Sequence, residues 1–487
     1  MTADPRIAHV VVLMLENRSF DMMLGKLRPA GAEFDGLTGN ESNPYSGADG
    51  QAITVPAANR PGLDGAALTV PNPDPGELFA PDINVQLFFP EPAASDRTPG
   101  MAGFVTNYAH QPGVTAANVG AVMRYFTPGQ IPVLCGLADA FAVSDRWHAA
   151  APCQTWPNRF FVHTATANGY VNNDPTHFPY AMRTLYDLLD EGGRDWRIYF
   201  HDIPQSLTLA ALWPRIDRFA RFGATFARDA AAGRLPAYSF IEPRYFSDPI
   251  LGLLPNDQHP PHNIALGEAL IAEVYNALRA GPHWQRTLLV ITYDEHGGCF
   301  DHVPPPRATP PGPPYGDGFA FDRFGVRVPA VLVSPWVAPG AVVRPAGPAG
   351  PAGPAGPAGA VPFDHTSIIR TVREIFDLGP PLTARDAAAP SLLPALSLPA
   401  PTNAGPAALA APAYAPAGAD LAQALAAVPN DIQRALGALA AHLPADALGI
   451  GAQLAALADG SLVPQVPAFR SVEDSFHFIT GRLSRLV

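Results

Sequence analysis

Cysteine is scarce in this chain. Its 487 residues include only Cys135, Cys153 and Cys299. Three thiols cannot build a disulfide framework, and no CxxC pair marks a zinc site. Cys153 and Cys299 each stand close in sequence to a candidate site residue, but the expectation is two separate free thiols. Charge is scarce too, at 15% of residues against a usual share of about 25%. The net charge is −12 and no Lys/Arg cluster offsets it. That excludes nonspecific nucleic-acid binding and leaves apolar or zwitterionic surfaces as the only lipid contacts, transient ones. No apolar run reaches the roughly 18 residues needed to span a bilayer. Only Arg6 precedes the first apolar run, and no small-residue cleavage site follows it, so the chain reads as soluble and cytoplasmic.

Apolar residues and proline are abundant. The hydrophobic set reaches 47%, enough for a large core, and the 57 prolines are more than double the usual share of roughly 5%, which implies long ordered loops. Apolar runs predict strands at Ile7–Leu15, Ala140–Ser144, Trp196–Phe200, Ala237–Ile241, Thr287–Tyr293 and Val328–Ser334. Helical periodicity falls between them at Ile131–Ala140, Trp156–Thr166, Met182–Leu189, Ala265–Arg279 and Thr366–Phe376. Strands alternating with helices predict an α/β fold with a mainly parallel sheet covered on both faces. Residues 26–130, rich in Pro, Gly, Asn and Asp, break that rhythm and read as a long elaboration over the strand ends. Pro345–Gly359 repeats Pro-Ala-Gly and reads as a surface spacer of polyproline character. Residues 1–395 are thus expected to form the catalytic domain. An Ala/Pro-rich extension, 396–487, should pack on it through helices at Ala419–Val428, Asp431–Leu443, Ala445–Leu457 and Phe469–Leu486.

Two acidic motifs carry the chemistry. Glu16-Asn17-Arg18-Ser19-Phe20-Asp21 follows the first strand, and Asp294-Glu295-His296-Gly297-Gly298 follows the fifth. Ligands of open α/β sheets bind beyond the carboxyl ends of the strands. If these two strands are neighbours, the carboxylates of Glu16, Asp294 and Glu295 meet the Asn17 amide at one edge. Carboxylates gathered in an apolar setting call for a cation, so the pattern predicts an oxygen-rich metal site and an enzyme. Thr155 opens a helix in Gln154-Thr155-Trp156-Pro157-Asn158-Arg159. It suits an ordinary N-cap, with Pro157 in the first turn. A nearby metal would instead make its hydroxyl a nucleophile. His259, in a rigid Pro-rich loop, and His201, at the end of a strand, are candidate site histidines, while His302 and His365 read as supporting residues.

Together these segments resemble the phosphoesterase family of bacterial phospholipases C, plant nonspecific phospholipases C and a bacterial acid phosphatase. The likeness runs in order from Ile7 to about Phe376. It includes Asp301-His302-Val303, Asp257–Pro260, Arg327-Val328-Pro329, Ser334-Pro335-Trp336 and Phe363-Asp364-His365-Thr366-Ser367. The resemblance implies a three-layer, alkaline-phosphatase-like α/β/α fold. It implies one divalent metal ion held by Glu16, Asn17, Thr155, Asp294 and Glu295, with phosphate contacts from Asn17, His201 and His259. The implied reaction is phospholipase C-type hydrolysis through a phosphothreonine at Thr155, with His259 or His201 protonating the leaving oxygen or stabilising the phosphoryl charge. Action on small phosphomonoesters is the alternative, and a silent binding protein the more distant one. One departure stands out: relatives often carry Asp-Pro-Gly-His, whereas here Asp74-Pro75-Gly76 is followed by Glu77. A carboxylate there either costs a phosphate contact or recognises a cationic head group such as choline.

Overall fold

In the computed structural model, residues 4–47, 52–56, 65–94, 96–178, 180–345, 360–414, 416–444, 446, 449–458, 461–462 and 464–486 are described. The buried apolar runs assemble into one eight-stranded sheet. Its strands are β1 (His9–Leu15), β2 (Ala142–Val143), β3 (Trp196–Phe200), β4 (Phe219–Arg221), β5 (Tyr238–Glu242), β6 (Thr287–Tyr293), β7 (Ala330–Val333) and β8 (Ala341–Val342). Their order across the sheet is β8-β2-β7-β6-β1-β5-β3-β4. All run parallel except β7, which is antiparallel to both β6 and β2. Central β1 and β6 are buried along nearly their whole length, which is why they read as unbroken apolar runs rather than as alternation. The expected α/β class and mainly parallel sheet hold.

The register decides where the chemistry sits. Leu15 of β1 pairs with Tyr293 of β6, so the two acidic motifs leave adjacent strands at one level. On the other side of β1, Leu13 pairs with Ile241 of β5, and the chain after β5 leads to the His259 loop.

Several boundaries differ from the sequence reading. Helix α1 (Pro132–Ala140) runs through Ala140 and leaves only Ala142–Val143 to the strand expected at Ala140–Ser144. In the strand expected at Val328–Ser334, Pro329 has no N–H to give the ladder, and pairing begins at Ala330. Helix α2 (Thr155–Thr164) ends two residues early, because Ala165 adopts a left-handed conformation at φ 60°. Helix α3 (Leu185–Glu191) starts late, where Thr184 and Asp187 form a capping box. Strand β4 and helix α4 (Gly223–Ala231) were not expected. The buried face of α4 is only Phe226, Asp229 and Ala230, too thin an apolar stripe to read. Helix α5 (Ile264–Ala280) is capped by Asn263, and its buried Glu268 accepts the Val133 and Leu134 N–H groups of α1. Helix α6 (Thr366–Phe376) matches its expected range.

The 26–130 segment carries short helices and a two-stranded ribbon, Ser42–Ser46 with Ala52–Pro56. In the extension, α7 (Gly418–Ala426), α8 (Asp431–His442), α9 (Ile450–Ala458) and α10 (Val472–Leu483) are shifted or shortened forms of the expected helices. Leu436 and Leu439 of α8 enter the main core, and Gln433 donates to the Tyr245 carbonyl at 2.8 Å. Residues 346–359 of the Pro-Ala-Gly run lie outside the described residues. No described helix is long and apolar enough to cross a membrane.

Candidate active site

At the carboxyl edge of β1 and β6, Glu16, Asn17, Asp294 and Glu295 are all fully buried. Asn17 takes a left-handed conformation, φ 54°. Its N–H donates to Asp294 Oδ1 at 3.0 Å, which ties the two strand ends together. Asp294 Oδ1 also accepts the Glu295 N–H at 2.8 Å. The curl that brings both acids to one side depends on Gly297, at φ +57°, where an added Cβ would lie 2.4 Å from the Asn17 carbonyl oxygen.

Thr155 is the first residue of α2 rather than its cap. The cap is Gln154, and its side chain bonds no helix N–H. Capping comes from outside, since the Trp156 N–H donates to Asn173 Oδ1 at 2.7 Å. Asn158 fixes the approach to the helix by donating to the carbonyls of Ala151, Cys153 and Gln154. The Thr155 hydroxyl is therefore spared from capping. It lies 3.4 Å from both Glu16 Oε2 and Asn17 Oδ1.

One turn along α2 stands Arg159, on the same helical face as Thr155. It pairs with Glu16 at 2.5 Å and with Asp294 at 3.2 Å, and all three are buried. In the sequence this arginine is visible only as part of its motif, and the spacing of four from Thr155 is the signal that places it at the site. Gln205, also unforeseen, donates to Glu16 Oε1 at 2.7 Å.

The 26–130 segment closes another wall. Asn17 Nδ2 donates to Glu77, and His259 Nε2 stands 3.6 Å from Glu77 and its Nδ1 3.8 Å from Asp74. Asp74, Glu77 and His259 form one tight group of metal-ligating type. A second, Asp21, Asp301 and His302, is saturated by Arg327, which pairs with Asp21 and Asp301 at 2.9 Å each; His302 Nδ1 faces Asp21 Oδ2 at 2.7 Å. His365 stands behind the same strand end, its Nε2 against the Asp294 carbonyl at 2.5 Å.

His201 stands apart. Its Nδ1 faces the Glu242 carbonyl at 2.8 Å and its ring stacks on Phe222. Among the described residues no hydrogen bond joins it to Glu16, Asn17, Thr155 or His259. Burial and the Arg244 guanidinium push its pKa down to about 3, so the ring is neutral. Cys153 and Cys299 are free and buried, as expected.

The pocket is overcharged. Burial pushes Glu16 and Glu295 well above the ordinary carboxyl range, with Arg159 pulling Glu16 back and Glu77 driving Glu295 further up. Burial raises Asp294 as well, against Arg159. For His259, burial opposes the cation, but Asp74 and Glu77 outweigh it and hold the ring protonated well above the usual histidine range. Arg159 is thus the fixed cation for Glu16 and Asp294, a neutraliser that the sequence reading assigned wholly to a metal. It does not exhaust the donors. Glu295 Oε1 is buried without a hydrogen-bond partner, and Glu16 Oε2, Asn17 Oδ1 and Thr155 Oγ1 face one another. Hard oxygen donors with surplus negative charge fit a divalent cation.

A mainly parallel sheet thus carries buried acids, a hydroxyl and a histidine at its carboxyl edge, where α/β enzymes bind their ligands. The phosphoesterase family model matches residues 7–379, and the chain belongs to that family, enzymes that hydrolyse phosphoric esters. Among its relatives, non-specific phospholipase C1 of Arabidopsis thaliana is 40% identical over 397 residues, 78% of this chain and 69% of that one. Phospholipase C A of Mycobacterium tuberculosis is 28% identical over 453 residues, 82% of this chain and 78% of that one. A lipoteichoic acid synthase from Listeria monocytogenes matches only at TM-score 0.34, with 14% identity over 54% of this chain and 70% of that one.

Proposed function

We propose that this protein is a metal-dependent phospholipase C-type phosphoesterase that works through a phosphothreonine at Thr155, on the three-layer, alkaline-phosphatase-like plan. The observation that carries the reading is the Thr155 hydroxyl, freed from capping and held 3.4 Å from both Glu16 and Asn17 in a fully buried pocket. The names of the relatives, phospholipases C in a plant and a bacterium, favour a phospholipid substrate. A divalent ion held by Glu16, Asn17, Thr155, Asp294 and Glu295 would supply the positive charge that lowers the hydroxyl pKa.

The chain's own residues do the rest. Arg159 holds Glu16 and Asp294 in place. Thr155 Oγ1 passes its proton to Glu16 Oε2, 3.4 Å away, and bonds to phosphorus, and the bond from phosphorus to the glycerol oxygen breaks. That oxygen takes the electron pair and a proton from His259, leaving as diacylglycerol. Water then attacks the phosphothreonine ester and gives its proton back to His259. The Thr155 oxygen leaves phosphorus and retakes its proton from Glu16, which releases the head-group phosphate and restores the hydroxyl. Glu77 keeps His259 charged and orients the Asn17 amide, so its carboxylate is already engaged within the pocket.

The test is hydrolysis of p-nitrophenylphosphorylcholine and p-nitrophenyl phosphate by metal-replete protein. The reading expects the diester to be cleaved, with Thr155→Ala lowering turnover by about a thousand-fold or more. Cleavage of the monoester alone makes the protein a phosphatase instead, and full activity of Thr155→Ala sinks the covalent scheme.

A further inference from the structure

The chain between β5 and the His259 loop carries a feature that the reaction does not use. Ile250 and Leu251 are 77% and 68% exposed, and Leu253 beside them is 37% exposed. They are not on a loose loop. The Asp248 and Leu253 backbones bond each other at 2.7 and 3.1 Å, and Asp248 Oδ1 accepts the N–H groups of both Ile250 and Leu251. A fixed turn thus holds two large apolar side chains out into water, against the usual tendency to bury them.

A second apolar element stands beside the turn. Helix α7 reads Gly-Ala-Asp-Leu-Ala-Gln-Ala-Leu-Ala, yet none of its residues is buried. The helix lies against α10; Leu421, Ala424 and Leu425 are half-buried and the rest of it is open to water. A Cβ added at Gly252 of the turn would lie 4.0 Å from Leu421 of α7. Val428, just past the helix, is 73% exposed. Between the two elements lies a cavity of about 460 Å³, lined by Leu254, Pro261, Leu266, Val428 and Val472. His262 also lines it, and its ring is 6.0 Å from that of His259. The cavity, walled also by Asn72, Asn263, Asn430 and Gln433, thus lies beside the exposed turn, with His262 of its wall neighbouring His259.

We infer that the Ile250–Leu251 turn, α7 and Val428 form a lipid-docking face that seats the protein on a zwitterionic bilayer, with the cavity open toward the acyl chains. Charge selects this occupant. The only charged residues in 246–254 and 416–430 are Asp248 and Asp420. Each is turned to local hydrogen bonds, Asp248 within its turn and Asp420 with the Ala417 N–H. Arg434, on the Pro429 carbonyl, is paired with Asp431, the two segments themselves hold no cation, and the net charge of −12 repels an anionic surface. Continuity with the site gives the second reason, since one loop carries both the docking turn and His259.

This inference rests on the phospholipase reading, so its test measures binding apart from turnover. Full-length protein and the double variant Ile250→Asp/Leu251→Asp, with Val428→Asp as an independent probe, are sedimented with phosphatidylcholine vesicles at low and high salt. Wild type is expected to bind with little salt dependence, and both variants about ten-fold more weakly. Their hydrolysis of soluble p-nitrophenylphosphorylcholine should be unchanged. Equal vesicle binding by wild type and variants, or no binding by wild type, overturns the docking face. So does a wild-type dimer that the variants abolish, because the face would then belong to a second copy of the chain. Vesicle binding without hydrolysis of any phosphoester would refute the phospholipase reading and leave the docking result standing.

Discussion

Arg159 shows how much one side chain decides at this site. Its guanidinium is fully enclosed and bridges Glu16 and Asp294, the first acids after two neighbouring strands. Breaking a buried pair by removing one partner leaves the other charge stranded, at a cost of about 3–5 kcal/mol. Arg159→Met should therefore lower unfolding stability in urea by roughly that amount, and should abolish turnover because Glu16 is no longer aimed at Thr155. Arg159→Lys should recover little, since one ammonium cannot replace a fork that reaches two carboxylates. A loss below about 1 kcal/mol would mean that the acids ionise independently of this arginine.

The sequence showed the acids, the hydroxyl and His259, because each stands at a recognisable break between an apolar run and a turn. It did not show Gln205 or the roles of Arg159 and Glu242. Their side chains reach the site, or support it, from elements whose relative placement only the fold provides. Glu242 accepts the N–H groups of Gln205 and Ser206, and Gln205 in turn holds Glu16. No pattern along the chain joins those residues.

Among elements, the two strand ends matter most. They meet because β1 and β6 are adjacent and parallel, with Leu15 opposite Tyr293. They stay closed because Gly297 has no side chain. Its positive φ and the 2.4 Å approach to the Asn17 carbonyl make Gly297→Ala a combined strain and clash. It should cost about 1–3 kcal/mol or more, and should lower turnover by displacing Asn17. Gly136 within α1 is the control, as an added Cβ meets nothing within 4 Å. Gly136→Ala should be neutral or stabilise by up to about 1 kcal/mol through helix propensity. Thermal melts of the two variants, with turnover on p-nitrophenylphosphorylcholine, test this contrast; equal behaviour would mean that the strand ends are not closed by Gly297.

The long strands and α5, α6 and α8 were legible because burial on both faces, or a clear helical stripe, leaves a strong pattern. Short elements at or next to the sheet edges, β2, β4 and β8, were cut down or missed. Their pairing comes from the sheet they join rather than from their own residues. The 26–130 segment read only as a long elaboration, yet it supplies Asp74 and Glu77 to the pocket wall. Its short helices and turns leave no periodicity from which that placement could be read.

At the scale of the whole molecule, three parts of the chain converge on one edge of the sheet. The strands bring the acids, the 26–130 segment brings Glu77, and α8 of the extension brings Asp431 close enough for its charge to act on Glu77 and His259. The membership of the phosphoesterase family covers residues 7–379, and the extension adds the docking helix beyond that range. The central claim is that Thr155 attacks phosphorus before water does. Two in-line displacements restore the original configuration at phosphorus, whereas one direct attack by water inverts it. Hydrolysis of a p-nitrophenyl phosphorothioate diester of one configuration, in isotopically labelled water, reads this directly. Retention is the predicted result; inversion would contradict a covalent phosphothreonine.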